Sequence, residues 1–202
     1  MTKIKLCGLS RKCDIETANE LLPEYVGFVL WPKSKRYVTS AKLAELKSLL
    51  CQEIKAVGVF VDEKPELVAE LLNQGLIDLA QLHGREDEEY LARLRALTDK
   101  PVIKAFCIKS AADISRAETS TADYILLDSG MGTGRTFAWR LLQNITRPYF
   151  LAGGLGVANI AEAIAVLQPY GVDVSSGIES NGVKDKTKME AFVAQVREGE
   201  KQ

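Results

Sequence analysis

Eight times along this chain a short apolar run gives way to a polar break and then to a segment with helical spacing. The runs are Lys3–Leu6, Val26–Leu30, Ala56–Val61, Leu79–Leu82, Val102–Phe106, Tyr124–Leu127, Tyr149–Ala152 and Val172–Val174. Short, rich in branched residues and only weakly alternating, they suit strands buried on both faces of a parallel sheet. Between them, Leu67, Val68, Leu71 and Leu72 mark the third helix, and Ile160, Ala163, Ile164 and Leu167 the seventh. Met189, Phe192, Val193 and Val196 stripe the last one. Pro65 falls in the first turn of the third helix, and Asn159 is placed to cap the seventh. The longest connections are Trp31–Ser40 and Ser175–Lys186. Two α/β architectures share this alternation, a closed (β/α)8 barrel and a doubly wound open sheet. Eight units of about 25 residues each, near the lower size limit of the barrel, favour the barrel.

Composition bears on partners. Hydrophobic residues make up 47% and charged residues 26%, and no linker or low-complexity stretch breaks the chain, so a single (β/α)8 catalytic domain over residues 1–202 is expected. Lys and Arg number 26 against 27 Asp and Glu, which leaves no general field for nucleic acid or an anionic membrane. An anion must therefore be gripped locally. Cys7, Cys13, Cys51 and Cys107 include no CxxC pair, and His83 is the only histidine, so no metal site is expected. The N-terminal segment lacks the apolar stretch of a signal peptide, and free thiols in a reducing cytoplasm are the simplest expectation. Oligomeric state is left open between monomer and homodimer.

In a barrel, the loops that follow the strands build the active site. Here Cys7-Gly8 ends the first run, Pro32-Lys33-Ser34-Lys35-Arg36-Tyr37 follows the second, and Asp62-Glu63 the third. Gln81-Leu82-His83-Gly84 closes the fourth, Asp128-Ser129-Gly130 the sixth, Gly153-Gly154 the seventh and Ser175-Ser176-Gly177 the eighth. One thiol, one imidazole, one arginine and two aspartates are thereby expected at a single mouth. The last two loops suit phosphate. Gly153-Gly154 permits close backbone approach, and Ser175-Ser176-Gly177 offers hydroxyl and amide donors at an expected helical turn. The Gly130–Arg135 segment, with Gly132 and Gly134, is neither GxGxxG nor a P-loop; it reads equally as a lid or as a plain flexible connection.

The chain closely resembles the phosphoribosylanthranilate isomerase family of tryptophan biosynthesis. The resemblance rests on Lys5-Leu6-Cys7-Gly8-Leu9, Gly27-Phe28, Pro32 through Val38, Gly58-Val59-Phe60-Val61, Gln81-Leu82-His83-Gly84 and Leu127-Asp128. It continues through Gly132-Thr133-Gly134 with Phe137 and Trp139, Leu151 through Leu155 with Asn159, Gly171 through Glu179, and Lys184-Asp185. These segments run in order over almost the whole chain.

What the resemblance implies is an Amadori rearrangement of an aminoaldose phosphate to an aminoketose phosphate, without cofactor or metal. It implies Cys7 as general base, Asp128 as general acid and Arg36 as partner of the anthranilate carboxylate. Gly153, Gly154, Ser175, Ser176 and Gly177 would hold the phosphate, while His83, Gly132 and Gly134 are further substrate-site candidates from their place after the fourth and sixth runs. These residue types fit the chemistry. An aspartate protonates a ring oxygen only if its pKa is raised, and a cysteine needs a neighbouring cation or dipole to ionise near neutrality. Lys5, two residues back on the same strand face, is the candidate cation. Taken singly, Cys7 also reads as a small buried hydrophobe, Asp128 as the start of an Asx-turn and His83 as a structural histidine.

Three segments depart from the family pattern: Met131-Gly132-Thr133-Gly134 for Gly-Gly-Thr-Gly, Ser34-Lys35-Arg36 for Ser-Pro-Arg, and Phe137-Ala138-Trp139 for Phe-Asp-Trp. The last removes a potential cap from the sixth helix. Two other functions stand against the isomerase. A histidine-pathway isomerase barrel uses paired aspartates at the ends of strands 1 and 5, where this chain has Cys7 and Phe106. A non-catalytic phosphate-ligand binder would not depend on Cys7 or Asp128.

Overall fold

A computed structural model of the chain describes residues 1–128, 139, 141–142 and 145–199. Eight parallel strands close into a barrel in sequence order, which excludes the open doubly wound sheet. They are β1 (Lys3–Cys7), β2 (Tyr25–Val29), β3 (Lys55–Phe60), β4 (Leu79–Leu82), β5 (Val102–Cys107), β6 (Tyr124–Asp128), β7 (Tyr149–Ala152) and β8 (Gly171–Val174). The ring is completed by β1 against β8, with Lys3 opposite Gly171 and Lys5 opposite Asp173.

Among the described residues seven helices surround the barrel: α1 (Lys12–Leu21), α2 (Ser40–Ser48), α3 (Pro65–Asn73), α4 (Glu88–Arg95), α5 (Ala111–Thr119), α6 (Ile160–Leu167) and α7 (Lys186–Glu198). Their starts follow local chemistry. Pro65 occupies the opening of α3, where its missing N–H costs nothing, although Leu67 faces solvent and only Val68, Leu71 and Leu72 of the expected stripe are buried. Asp87 and Asp185 cap α4 and α7 by accepting from the amides of Tyr90 and Lys188. Asn159 stands at the N-cap position of α6, but its side chain makes no cap bond. Its Oδ1 accepts from Gly156 N at 2.9 Å and its Nδ2 donates to Gly154 O at 2.9 Å, so it braces the loop after β7 instead. Trp139 and Leu142 pack into the core between β6 and β7. No described helix is long and apolar enough to cross a membrane.

Alternation along the strands divides the apolar residues into two cores. Ile4, Leu6, Val26, Phe28, Ala80, Ile125, Val172 and Val174 face outward and pack under the helices. The opposite set, including Val57, Leu79, Ile103, Leu126 and Phe150, fills the inside. Because both faces are buried, the strands read in sequence as nearly continuous apolar runs. At the bottom the lumen is sealed by aromatic packing, with Tyr25 and Phe150 edge to face at a centroid distance of 5.5 Å. The inward positions turn polar toward the top, where Lys5, Gln81 and Asp173 are buried. Polarity thus concentrates at the C-terminal end of the barrel.

Candidate active site

A cavity of about 420 Å³ opens at this end. Cys7, the last residue of β1, and Asp128, the last of β6, both line it, as do Arg36, His83, Gly153, Gly154, Ser175 and Ser176. Gly177 does not; it packs against the loop after β7, where a Cβ would stand 1.9 Å from Leu155 O. Gly132 and Gly134 lie outside the described residues, as do Met131 and Ala138. The second aspartate of the cavity is Asp173, not Asp62. Asp62 adopts a φ of 51° and accepts from Arg85 N at 2.6 Å, which turns its carboxylate away from the lumen.

Cys7 lines the cavity but is itself buried. Lys5 stands beside it, as its strand position implies, but as half of a buried ion pair: Lys5 Nζ lies 2.8 Å from Asp173 Oδ1. Burial pushes the Cys7 thiol up, and Lys5, which pulls it down, does not fully compensate. The resting site therefore favours the thiol over the thiolate expected from Lys5 alone. For Lys5 itself, burial disfavours the charge, but Asp173 and Cys7 outweigh it and hold the ammonium in its charged form.

Across the lumen, His83 Nε2 lies 3.7 Å from Asp128 Oδ2. The other ring nitrogen, Nδ1, is 2.9 Å from Gln81 Nε2, and Gln81 Oε1 is buried without a hydrogen-bond partner among the described residues. The inward-facing Gln81 thus sets the orientation of the imidazole that faces the carboxyl.

Arg36 comes from the loop after β2. Its guanidinium is engaged by Glu179, with Nε donating to Oε1 at 2.5 Å and NH2 to Oε2 at 2.9 Å. Lys184 adds a third bond, Nζ to Glu179 Oε1 at 2.8 Å, and also reaches Ser175 O at 2.9 Å. Burial works against the Glu179 carboxylate, yet these cations hold its pKa down at about 2. The bidentate face of Arg36 is therefore already occupied by protein.

The two loops expected to receive phosphate differ in build. Gly153 and Gly154 both sit at positive φ, 94° and 64°, a conformation that side chains with a Cβ rarely adopt. After β8 no helix opens. Residues Ser175 to Ile178 form a turn that runs into a hairpin, β9 (Glu179–Ser180) and β10 (Val183–Lys184), and α7 starts only at Lys186. Asn181 and Gly182, with φ of 52° and 81°, make the tight connection. Ser175 and Ser176, which line the cavity, therefore sit on a turn rather than at a helix terminus.

Asp173, Gln81, Glu179 and Lys184 are site residues to which the sequence alone assigns no role. The available signals were an ionisable residue inside the apolar strand Gly171–Val174 and an amide inside Leu79–Leu82, both with the parity of inward positions.

Comparisons with known proteins agree with this geometry. A family model described as N-(5'-phosphoribosyl)anthranilate (PRA) isomerase matches residues 4–195. An N-(5'-phosphoribosyl)anthranilate isomerase of Endomicrobium trichonymphae is 44% identical over 194 residues, spanning 94% of this chain and 95% of that protein. The crystal structure of phosphoribosyl anthranilate isomerase from Thermotoga maritima superposes with a TM-score of 0.88 at 33% identity, covering 98% of this chain and 100% of that one. A further phosphoribosyl anthranilate isomerase structure, solved with reduced 1-(o-carboxyphenylamino)-1-deoxyribulose 5-phosphate, gives a TM-score of 0.87 at 33% identity with the same coverage. With matches that run the length of the barrel and a cavity built on the residues of the family motifs, this chain belongs to the N-(5'-phosphoribosyl)anthranilate isomerase family.

Proposed function

We propose that this chain, a single catalytic domain, converts N-(5-phosphoribosyl)anthranilate to 1-(2-carboxyphenylamino)-1-deoxyribulose 5-phosphate in tryptophan biosynthesis. One observation carries the reading: Cys7 and Asp128, at the ends of β1 and β6, line one cavity with Arg36 and the loops after β7 and β8.

In this reading Asp128 protonates the furanose ring oxygen, and the ring opens to an iminium. That cation acidifies the adjacent C–H, and the Cys7 thiolate takes its proton. The enol so formed tautomerises to the ketone. Each proton transfer by a positioned group is worth roughly 10²–10⁴ in rate. His83 faces Asp128 and orients it. Gly153, Gly154, Ser175, Ser176 and Gly177 supply or shape the phosphate pocket, and Gly132 and Gly134 are assigned to substrate binding. Arg36 receives the anthranilate carboxylate, by exchange with Glu179 or by the remaining edge of its guanidinium. The working enzyme is placed in the cytoplasm, as a monomer or homodimer, with a phosphorylated aminosugar as its ligand.

The test generates phosphoribosylanthranilate in situ and follows loss of its anthranilate-type fluorescence with wild type, Cys7→Ala and Asp128→Asn. Fast loss with wild type alone is expected. Equal turnover by all three, or by none while each is folded, would overturn the assignment.

A further inference from the structure

Three ionisable side chains meet inside the barrel at the join between its first and last strands. Lys5 and Cys7 point inward from β1, and Asp173 does so from β8, directly opposite Lys5 in the register. The Lys5 side chain is 0% exposed and Asp173 9%. Both Cys7 and Lys5 lean on one patch of β2, since a Cβ added to Gly27 would meet Cys7 Sγ at 2.7 Å and Lys5 Nζ at 3.0 Å. The charged groups facing the sulfur are Lys5 on β1, Asp173 on β8, Lys184 on β10 and Arg36 from the loop after β2.

Stability does not account for charges at this place. A buried ion pair is commonly matched or bettered by apolar residues of equal volume, because removing two charges from water offsets most of their attraction. What the pair changes is its neighbour. An ammonium next to sulfur favours the thiolate, and a carboxylate favours the thiol.

We propose that Lys5 and Asp173 are positioning residues acting on Cys7 in opposite senses: the ammonium supports the thiolate, while the carboxylate pins that ammonium beside the sulfur and draws off part of its effect. The inference rests on the reading of Cys7 as the base, and it makes the ionisation of this buried thiol depend on two opposed buried charges beside it.

Alkylation of the folded protein by iodoacetamide, in which the thiolate displaces iodide, reads that balance directly. Peptide mass separates Cys7 from the other three cysteines, and the rate is followed against pH. Asp173→Asn is expected to lower the midpoint by roughly one pH unit or more, and Lys5→Met to raise it by a similar amount. The double variant, which leaves no uncompensated buried charge, falls between wild type and Lys5→Met. Should Lys5→Met fail to fold, Asp173→Asn and the double variant still bracket wild type from opposite sides. Midpoints that all coincide, or that move in one direction for both Asp173→Asn and the double variant, with circular dichroism unchanged, would overturn the proposal. Failure of the base assignment is a separate result: Cys7→Ala would keep its turnover while the order of alkylation midpoints stood.

Discussion

Glu179 takes both arms of the Arg36 fork, at 2.5 Å and 2.9 Å, and so ties the loop after β2 to the hairpin after β8 across the rim of the cavity. Its carboxyl, with a pKa of about 2, is held well below the ordinary glutamate value. A carboxyl depressed on folding stabilises the fold above its unfolded pKa, and that contribution is lost as pH falls through the folded one. Glu179→Gln is therefore expected to cost on the order of 2 kcal/mol at pH 7. It should also flatten the fall in stability between about pH 5 and pH 2. Urea denaturation across that range measures both.

Arg36→Lys keeps the charge but loses the planar fork, for Glu179 and for any carboxylate ligand. Steady-state kinetics should show KM raised by about tenfold or more, with kcat changed by no more than a few fold, as expected when an interaction shared by ground and transition states is removed. Unchanged KM would assign Arg36 to the rim network alone.

With one histidine in the chain, the imidazole signals in a nitrogen-15 spectrum belong to His83. Its Nδ1 accepts from the Gln81 amide as placed, so the ring proton is expected on Nε2, the nitrogen facing Asp128. Gln81→Leu should mix the two tautomers and lower kcat by about tenfold. A proton found on Nδ1 in wild type would mean that the Gln81 amide lies the other way round, with Oε1 as its acceptor.

Away from the cavity, Lys104 and Glu86 form a buried pair at 2.8 Å, and Glu86 also accepts from the amides of Asp62 and Gly84. Breaking such a pair from one side strands a charge and costs about 3–5 kcal/mol. Glu86→Ala should lower Tm by roughly 10 °C in calorimetry while leaving kcat near the wild-type value.

Much of the barrel was legible because each strand has two buried faces and each apolar run ends in a polar residue. Cys7 and Asp128 are the last residues of their strands, so placing the strands placed them. Legibility failed where backbone detail decides direction. Asp62 follows β3 as Asp128 ends β6, but its positive φ turns it toward Arg85. Asn181-Gly182 is a tight-hairpin dipeptide, yet the segment Ser175–Lys186 read only as a long connection with an expected helical turn. The Arg36–Glu179–Lys184 network joins groups as far as 143 residues apart in sequence, and no local pattern encodes which cation meets which carboxylate. Only packing of the two loops decides it.

The seam between β1 and β8 has a consequence for how the protein comes into being. Lys5 and Asp173 stand 168 residues apart along the chain, and neither has its charge partner until the last strand docks. A nascent or clipped polypeptide lacking β8 would display the Cys7 sulfur without Asp173, without Lys184 and without the loop that carries Ser175. The charges around the sulfur and the loop beside it are thus complete only once the barrel has closed.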